Sequence, residues 1–233
     1  MKRRQVLTTG LAILACPYIS KANTLPKLDL VLLMDRSSSQ YGSKIHGSER
    51  DRWPYMIQKR GHILGLQDRL VSEGLITNRA HVRLIIWSGS GYNQELIPGG
   101  LIVNGIKDVG SLVAALQNQD DDDAFGDGDT DHADILYRVL DRYPRMADRW
   151  IIDMSTDEPP RSPISCAGYR DDIQDLYGTI NGIAFDLAGK GEVEAGLREC
   201  VKSRDGFTVS GHNEATYVTA LTWKLATEIG VGV

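Results

Sequence analysis

Short runs of apolar residues alternate along this chain with longer stretches in which apolar positions recur at helical spacing. The run at 28–34 is interrupted only by Asp29 and is too continuous for a half-exposed strand, so it predicts a strand covered on both faces. Similar patterns predict strands at 82–87, 95–103 (a bent edge strand), 150–154, 183–187 and 207–209, and helices over 54–74, 109–116, 135–143, 173–180, 193–201 and 214–229. Strands that alternate with helices predict an α/β domain with a doubly wound, mostly parallel sheet flanked by helices.

The first 22 residues have the features of an export signal. A basic start is followed by a short apolar stretch and by small residues at the positions that a signal peptidase reads, which predicts cleavage before Asn23 and a mature domain of 23–233. The apolar stretch is too short to remain as a membrane span. Arg3-Arg4 also fits a twin-arginine signal, whereas a lipoprotein signal ending at Cys16 is a poorer match. We expect a periplasmic or secreted protein.

Two cysteines, Cys166 and Cys200, remain in the predicted mature chain. In an oxidising compartment two such cysteines are a natural disulfide pair. The alternative is two separate buried thiols that act as small hydrophobic side chains. Because the N-terminus independently indicates export, the sequence favours the Cys166–Cys200 disulfide.

Composition narrows the possible partners. A chain of 233 residues with 42% hydrophobic content can bury the core of one domain. Its formal charge of −5 and its pI near 5.5 argue against a nucleic-acid partner. The stretch 120–134 carries eight aspartates. Within it, Asp127-x-Asp129-x-Asp131 is similar to the start of a calcium loop, but glycine is missing at the sixth place and Arg138 stands where a glutamate should close the loop. The stretch therefore favours a solvated loop that raises the local cation concentration. The five histidines are scattered, which predicts surface or capping roles.

Oxygen-bearing side chains follow two of the predicted strands and precede one predicted helix. Because the carboxyl ends of parallel strands meet at one edge of a sheet, we expect these side chains to converge there. Mg²⁺ prefers such an oxygen-only shell of carboxylates, hydroxyls and waters. Asp153 is a second carboxylate close to the set, but it falls inside its strand. The predicted metal ligands are Asp35, Ser37, Ser39, Thr130 and Asp157.

This set resembles the metal-ion-dependent adhesion site (MIDAS) of von Willebrand factor A domains, and the likeness covers nearly all of the mature chain. The chain is also similar to a group of exported bacterial proteins of unknown function built on that domain. The second similarity rests on four segments, Tyr55-x-x-Gln58-x-x-Gly61, Trp87-Ser88-Gly89, Thr179-Ile180-Asn181-Gly182 and Arg198-Glu199-Cys200-Val201. The resemblance implies the fold and a site for Mg²⁺ (or Mn²⁺/Ca²⁺) with one exchangeable position. It implies no reaction. Two departures are the long segment between Ser39 and Tyr55 and the aspartates around Thr130.

We therefore expect a binding module rather than an enzyme, which recognises a protein partner through an acidic residue that completes the metal shell. The loop at 40–52 carries four basic residues that could steer such a partner, or it is simply a solvated insertion: Lys44, His46, Arg50 and Arg52. The alternative from another class is a metal-dependent phosphohydrolase that uses Asp35 as its nucleophile. Against it, Ser37 stands where a second acid is expected.

Overall fold

A seven-stranded sheet forms the centre of the molecule. The structure is a computed structural model that describes residues 25–37, 39, 53–120, 129–187 and 189–230. The predicted signal (1–22), the loop at 40–52 and residues 121–128 of the acidic stretch lie outside the described residues. The strands are β1 (Leu28–Asp35), β2 (His81–Trp87), β3 (Asn93–Glu95), β4 (Leu101–Ile102), β5 (Arg149–Thr156), β6 (Gly178–Phe185) and β7 (Thr208–Gly211).

The strand order is β3-β2-β1-β5-β6-β7, and the short strand β4 pairs with β2. Strands β1, β2, β5, β6 and β7 are parallel, whereas β3 and β4 run antiparallel to β2. The helices are α1 (Pro54–Gln67), α2 (Arg69–Thr77), α3 (Ile106–Gln117), α4 (His132–Arg142), α5 (Pro163–Asp175), α6 (Glu192–Gly196) and α7 (Glu214–Ile229), with a π-helical turn at Leu197–Val201. This topology confirms the predicted doubly wound α/β fold.

Strand β1 is buried along its whole length, as its apolar run predicts. Its side chains alternate between two apolar clusters, because successive residues of a strand point to opposite faces. Leu30 and Leu32 pack in the cluster on the side of α1 and α7, and Val31 and Leu33 pack in the cluster on the side of α4 and α5. In register, Asp35 lies opposite the last residue of β2, so the carboxyl ends of the central strands open onto the same edge of the sheet.

The single helix predicted over 54–74 is in fact two helices, α1 and α2. The helix is interrupted at Asp68. The side-chain Oδ1 of Asp68 accepts hydrogen bonds from the backbone N–H groups of Leu70 (2.9 Å) and Val71 (3.2 Å). An aspartate is a favoured N-cap, and here it starts a new helix within a continuous apolar pattern.

The prediction of a helix over 173–180 is wrong in its second half. Helix α5 ends at Asp175, Tyr177 has a positive φ of 61°, and β6 begins at Gly178, five residues before the predicted strand. A Cβ on Gly178 would lie 2.5 Å from Cγ2 of Ile173 and 2.8 Å from the Trp150 ring, so the turn can pass this point only with glycine. Ile180 matched the helical spacing by coincidence and belongs to the sheet.

Three of the four histidines that the structure describes are buried, contrary to the prediction of surface or capping roles. His62 contacts the carbonyl of the residue one turn earlier in α1, and His132 packs edge-on against Trp87. His81 Nδ1 lies 2.8 Å from Oδ1 of Asp29, and its Nε2 lies 2.9 Å from a backbone carbonyl. Spacing along the sequence could not show the contacts of His81 and His132, because their partners come from other strands and loops.

No helix in the part of the chain that the structure describes has the length and apolarity needed to cross a membrane.

Candidate functional site

Asp35 ends β1 at the carboxyl edge of the sheet, and both of its carboxylate oxygens are held. The backbone N–H of Ser37 donates to Oδ1 at 2.8 Å, which turns the following loop back over the strand end. The hydroxyl of Thr156, the last residue of β5, donates to Oδ2 at 2.6 Å. Asp35 is completely buried. Its orientation is therefore set by one contact from its own loop and one from the neighbouring strand.

Hydroxyl groups connect this position to a second carboxylate. The Oγ atoms of Ser37 and Ser39 are 3.0 Å apart, and Ser39 Oγ donates to Oδ1 of Asp157 at 2.8 Å. Asp157 lies in the loop directly after β5. The structure thus joins four of the five predicted residues in one hydrogen-bonded line. The rejected candidate Asp153 lies inside β5, where it pairs with a lysine of α7.

Thr130, the fifth predicted residue, lies in the loop before α4. The N–H of Asp131 donates to the carbonyl of Ser88 at 3.2 Å, which fixes this loop beside the end of β2. The Asp131 side chain then caps α4 by accepting from the N–H of Asp134 at 3.0 Å. Thr130 is 2% exposed, and among the described residues its Oγ1 has no hydrogen-bond partner. A buried hydroxyl without a partner is costly and is typical of a group that binds a ligand.

The pKa values of both carboxylates are raised. Burial raises the pKa of Asp35 to about 6, although the hydrogen bonds from Thr156 and Ser37 oppose this effect. Burial also raises the pKa of Asp157 well above its ordinary value, and the neighbouring Asp35 charge adds to the rise. A cation between two such carboxylates favours their ionised forms, because an opposite charge offsets both the repulsion and the lost hydration.

The donor set fits a hard divalent cation. Among the described residues no group of three or more His, Cys, Asp and Glu side chains could hold a metal, so a site rich in nitrogen or sulfur is not present there. The set at the sheet edge instead combines two carboxylates with three hydroxyls. Oxygen donors of this kind suit Mg²⁺, Mn²⁺ and Ca²⁺. Two observations favour a cation here. The Thr130 hydroxyl has no partner among the described residues, and the carboxylates of Asp35 and Asp157 are neighbours.

Two neighbours of the site were not predicted from the sequence. Thr156 reaches Asp35 across the sheet, and the only signal for it was a hydroxyl residue next to Asp157 at a strand end. Arg161 pairs with Asp129 and, at 3.0 Å, with Glu158, so it links the loop of Asp157 to the loop of Thr130. No periodicity in the sequence indicates that ion pair.

The sheet order and the flanking helices define a doubly wound α/β domain, and its structural neighbours have the von Willebrand factor A fold. The chain belongs to the family described as "Protein of unknown function (DUF1194)", whose model matches residues 25–232. A search of curated proteins gave no match.

Solved structures share this fold at low sequence identity. Proximal thread matrix protein 1 from the mussel byssus, with a zinc-occupied MIDAS motif, is 12% identical with a TM-score of 0.60; the alignment covers 88% of this chain and 46% of that one. A mutant of the PilB minor pilin from Streptococcus sanguinis is 14% identical with a TM-score of 0.63 (91% and 65% covered). An aerotolerance-related membrane protein from Bacteroides fragilis is 13% identical with a TM-score of 0.56 (86% and 99% covered). The chain therefore spans about half the length of the mussel protein and nearly all of the Bacteroides protein.

Proposed function

We propose that this protein is an exported module that binds a divalent cation and, through the cation, recognises an acidic residue of a protein partner. Mg²⁺ is the first candidate, with Mn²⁺ and Ca²⁺ as alternatives. The residues that would hold the cation are Asp35, Ser37, Ser39, Thr130 and Asp157.

One observation carries the proposal. A hydrogen-bonded line runs from Asp35 through Ser37 and Ser39 to Asp157, and the ion pairs of Arg161 link the Asp157 loop to the loop of Thr130, whose hydroxyl has no hydrogen-bond partner among the described residues. Ordinary folding does not require a buried hydroxyl without a partner. A cation would be ligated by the Thr130 hydroxyl oxygen. It would also lower the cost of keeping the carboxylates of Asp35 and Asp157 ionised in a site shielded from water.

The ligand chemistry favours recognition over catalysis. Three of the five side chains are neutral hydroxyls, so two carboxylates supply all the negative charge. When bound, a divalent cation supplies an electrophilic centre that an incoming carboxylate can ligate. Asp35 itself is held at both oxygens, by Ser37 and Thr156, which suits a fixed ligand.

The similar structures support the general part of this proposal, a protein-interaction module with a metal site. The mussel byssus protein is described with a zinc-occupied MIDAS motif, and another neighbour is the pilus adhesin SpaC from Lactobacillus rhamnosus, which is 12% identical and has a TM-score of 0.60. These proteins favour a protein-interaction role outside the cytoplasm. The export signal that the sequence predicts at 1–22 supports the same location.

The proposal is tested by capture of a partner from an envelope extract on immobilised protein with Mg²⁺. We expect EDTA to release the partner, Mg²⁺ to restore capture, and Asp157→Ala to abolish it. Asp141→Asn, a change on the exposed surface of α4, is the matched control and should capture normally. Capture that survives chelation would contradict the proposal. Turnover of a generic phosphate ester that is lost in Asp35→Asn would favour the phosphohydrolase instead.

A further inference from the structure

The hydroxyl of Thr156 lies between the two carboxylate-bearing loops of the candidate site. It is 2.6 Å from Oδ2 of Asp35, and the backbone N–H of Glu158 approaches it at 3.2 Å. Thr156 is completely buried at the end of β5. Because Thr156 and Glu158 flank Asp157 in the chain, one oxygen atom contacts both the first carboxylate and the loop of the second.

The direction of these hydrogen bonds follows from the donors available. A backbone N–H can only donate, so Glu158 uses a lone pair of Thr156 Oγ1. The hydroxyl proton of Thr156 is then free for the carboxylate of Asp35, and 2.6 Å is typical of a hydroxyl that donates to a charged oxygen. The carbonyl of Glu158, at 3.3 Å from the same hydroxyl, is the longer contact.

We propose that Thr156 is a positioning residue of the metal site, which orients Asp35 and keeps the Asp157 loop in place for the same cation. The inference rests on the proposed function and adds to it a residue that does not itself touch the metal. Groups that orient metal ligands in this way typically change metal affinity by about 10–100-fold when removed.

The neighbouring residue provides a matched control. Ser155 is also completely buried, and its hydroxyl donates to Oε1 of Gln58 at 2.9 Å and to the carbonyl of Leu33 at 3.2 Å. These partners lie in α1 and in β1, two residues before Asp35, and neither is a predicted metal ligand. Removal of the Ser155 hydroxyl therefore disturbs the same strand to a similar degree but leaves Asp35 and Asp157 in place.

The experiment is a calorimetric titration of Mg²⁺ into the exported chain and its variants. We expect Thr156→Val to bind Mg²⁺ about 10–100-fold more weakly, and Thr156→Ser, which keeps the hydroxyl, to restore affinity to within about threefold of wild type. Ser155→Ala should also bind within about threefold of wild type, even if it is less stable. If Thr156→Val does not fold, Thr156→Ala replaces it as the variant without a hydroxyl.

The outcomes separate this inference from the proposed function. If the wild-type protein does not bind Mg²⁺, Mn²⁺ or Ca²⁺, the proposed function fails. If the wild type binds but a folded variant without the Thr156 hydroxyl binds equally well, the positioning role alone is overturned. An equal loss in Ser155→Ala, or no rescue by serine, would show a general effect on strand β5 and would also overturn it.

Discussion

A buried lysine in α7 gives the sharpest stability prediction. Lys224 is completely buried, and its Nζ lies 2.5 Å from Oδ1 of Asp153 in β5 and contacts Oε1 of Glu228 one turn further along α7. The Asn181 amide also donates to Glu228 Oε1, at 2.8 Å. Burial raises the pKa of Glu228 to about 8, with the Asp153 charge adding to the rise and Lys224 opposing it. Lys224 therefore supplies the positive charge beside Asp153, whereas Glu228, with its raised pKa, is mostly protonated at neutral pH.

The change Lys224→Met keeps the length of the side chain and removes its charge. Removing one partner of a buried ion pair typically costs about 3–5 kcal/mol, because the remaining charge is left buried without compensation. For a chain of this length, each kcal/mol lowers the melting temperature by about 2–4 °C, so we expect a fall of roughly 6–20 °C. In the double variant Asp153→Asn, Lys224→Met, the cost should be smaller than the sum of the single changes by about 0.5–3 kcal/mol.

Thermal and urea unfolding followed by circular dichroism measure these values. Lys107→Met, on the exposed face of α3, is the control and should change the free energy of unfolding by less than about 0.5 kcal/mol. A loss below about 1 kcal/mol in Lys224→Met, or strictly additive single changes, would refute the view that this lysine compensates the buried Asp153.

Three further predictions concern other parts of the fold. Burial lowers the pKa of His81, but the hydrogen bond and charge of Asp29 outweigh it and hold that pKa above its ordinary value of 6.5. The His81–Asp29 pair should thus stabilise the protein fully below pH 6.5 and lose this contribution as the pH rises through the raised pKa. Urea unfolding at several pH values should show this fall in the free energy of unfolding in the wild type and not in His81→Gln. Gly178→Ala should cost about 1–3 kcal/mol in thermal unfolding, since its Cβ has no room; an unchanged melting temperature would contradict the turn geometry. Cys166 and Cys200 are free, buried thiols in the structure, and we still predict that they form a disulfide after export, worth about 3–4 kcal/mol in the chain-entropy model; two free thiols in peptide maps of periplasmic protein would refute it.

The sequence predicts local and periodic features of this protein well. The apolar run at 28–34 predicted a strand covered on both faces, and the structure buries β1 along its whole length. The boundary between α1 and α2 at Asp68 could not be predicted, because the helical spacing of apolar residues continues across it. The only local signal is the Asp68 side chain that caps α2. The start of β6 was missed for a related reason: Ile180 fits a helical period, and the turn at Tyr177 and Gly178 depends on contacts with Ile173.

Long-range polar contacts could not be predicted. The candidate metal ligands could be proposed from strand ends alone, because parallel strands bring their carboxyl ends to one edge. In contrast, the contact of Thr156 with Asp35 joins residues that are 121 positions apart, and Lys224 meets Asp153 only after α7 packs on the sheet. Nothing in the local sequence of either pair marks the partner.

The central claim is tested most directly by Thr130→Val with and without Mg²⁺. In the presence of EDTA the variant should be at least as stable as the wild type, because it removes a buried hydroxyl that has no partner among the described residues. With Mg²⁺ at about a hundredfold excess over its Kd, the wild type should gain about 2.7 kcal/mol in the free energy of unfolding, and the variant should gain much less. An equal gain in both proteins, or no gain in the wild type with Mg²⁺, Mn²⁺ or Ca²⁺, would contradict the assignment of this sheet edge as a cation site.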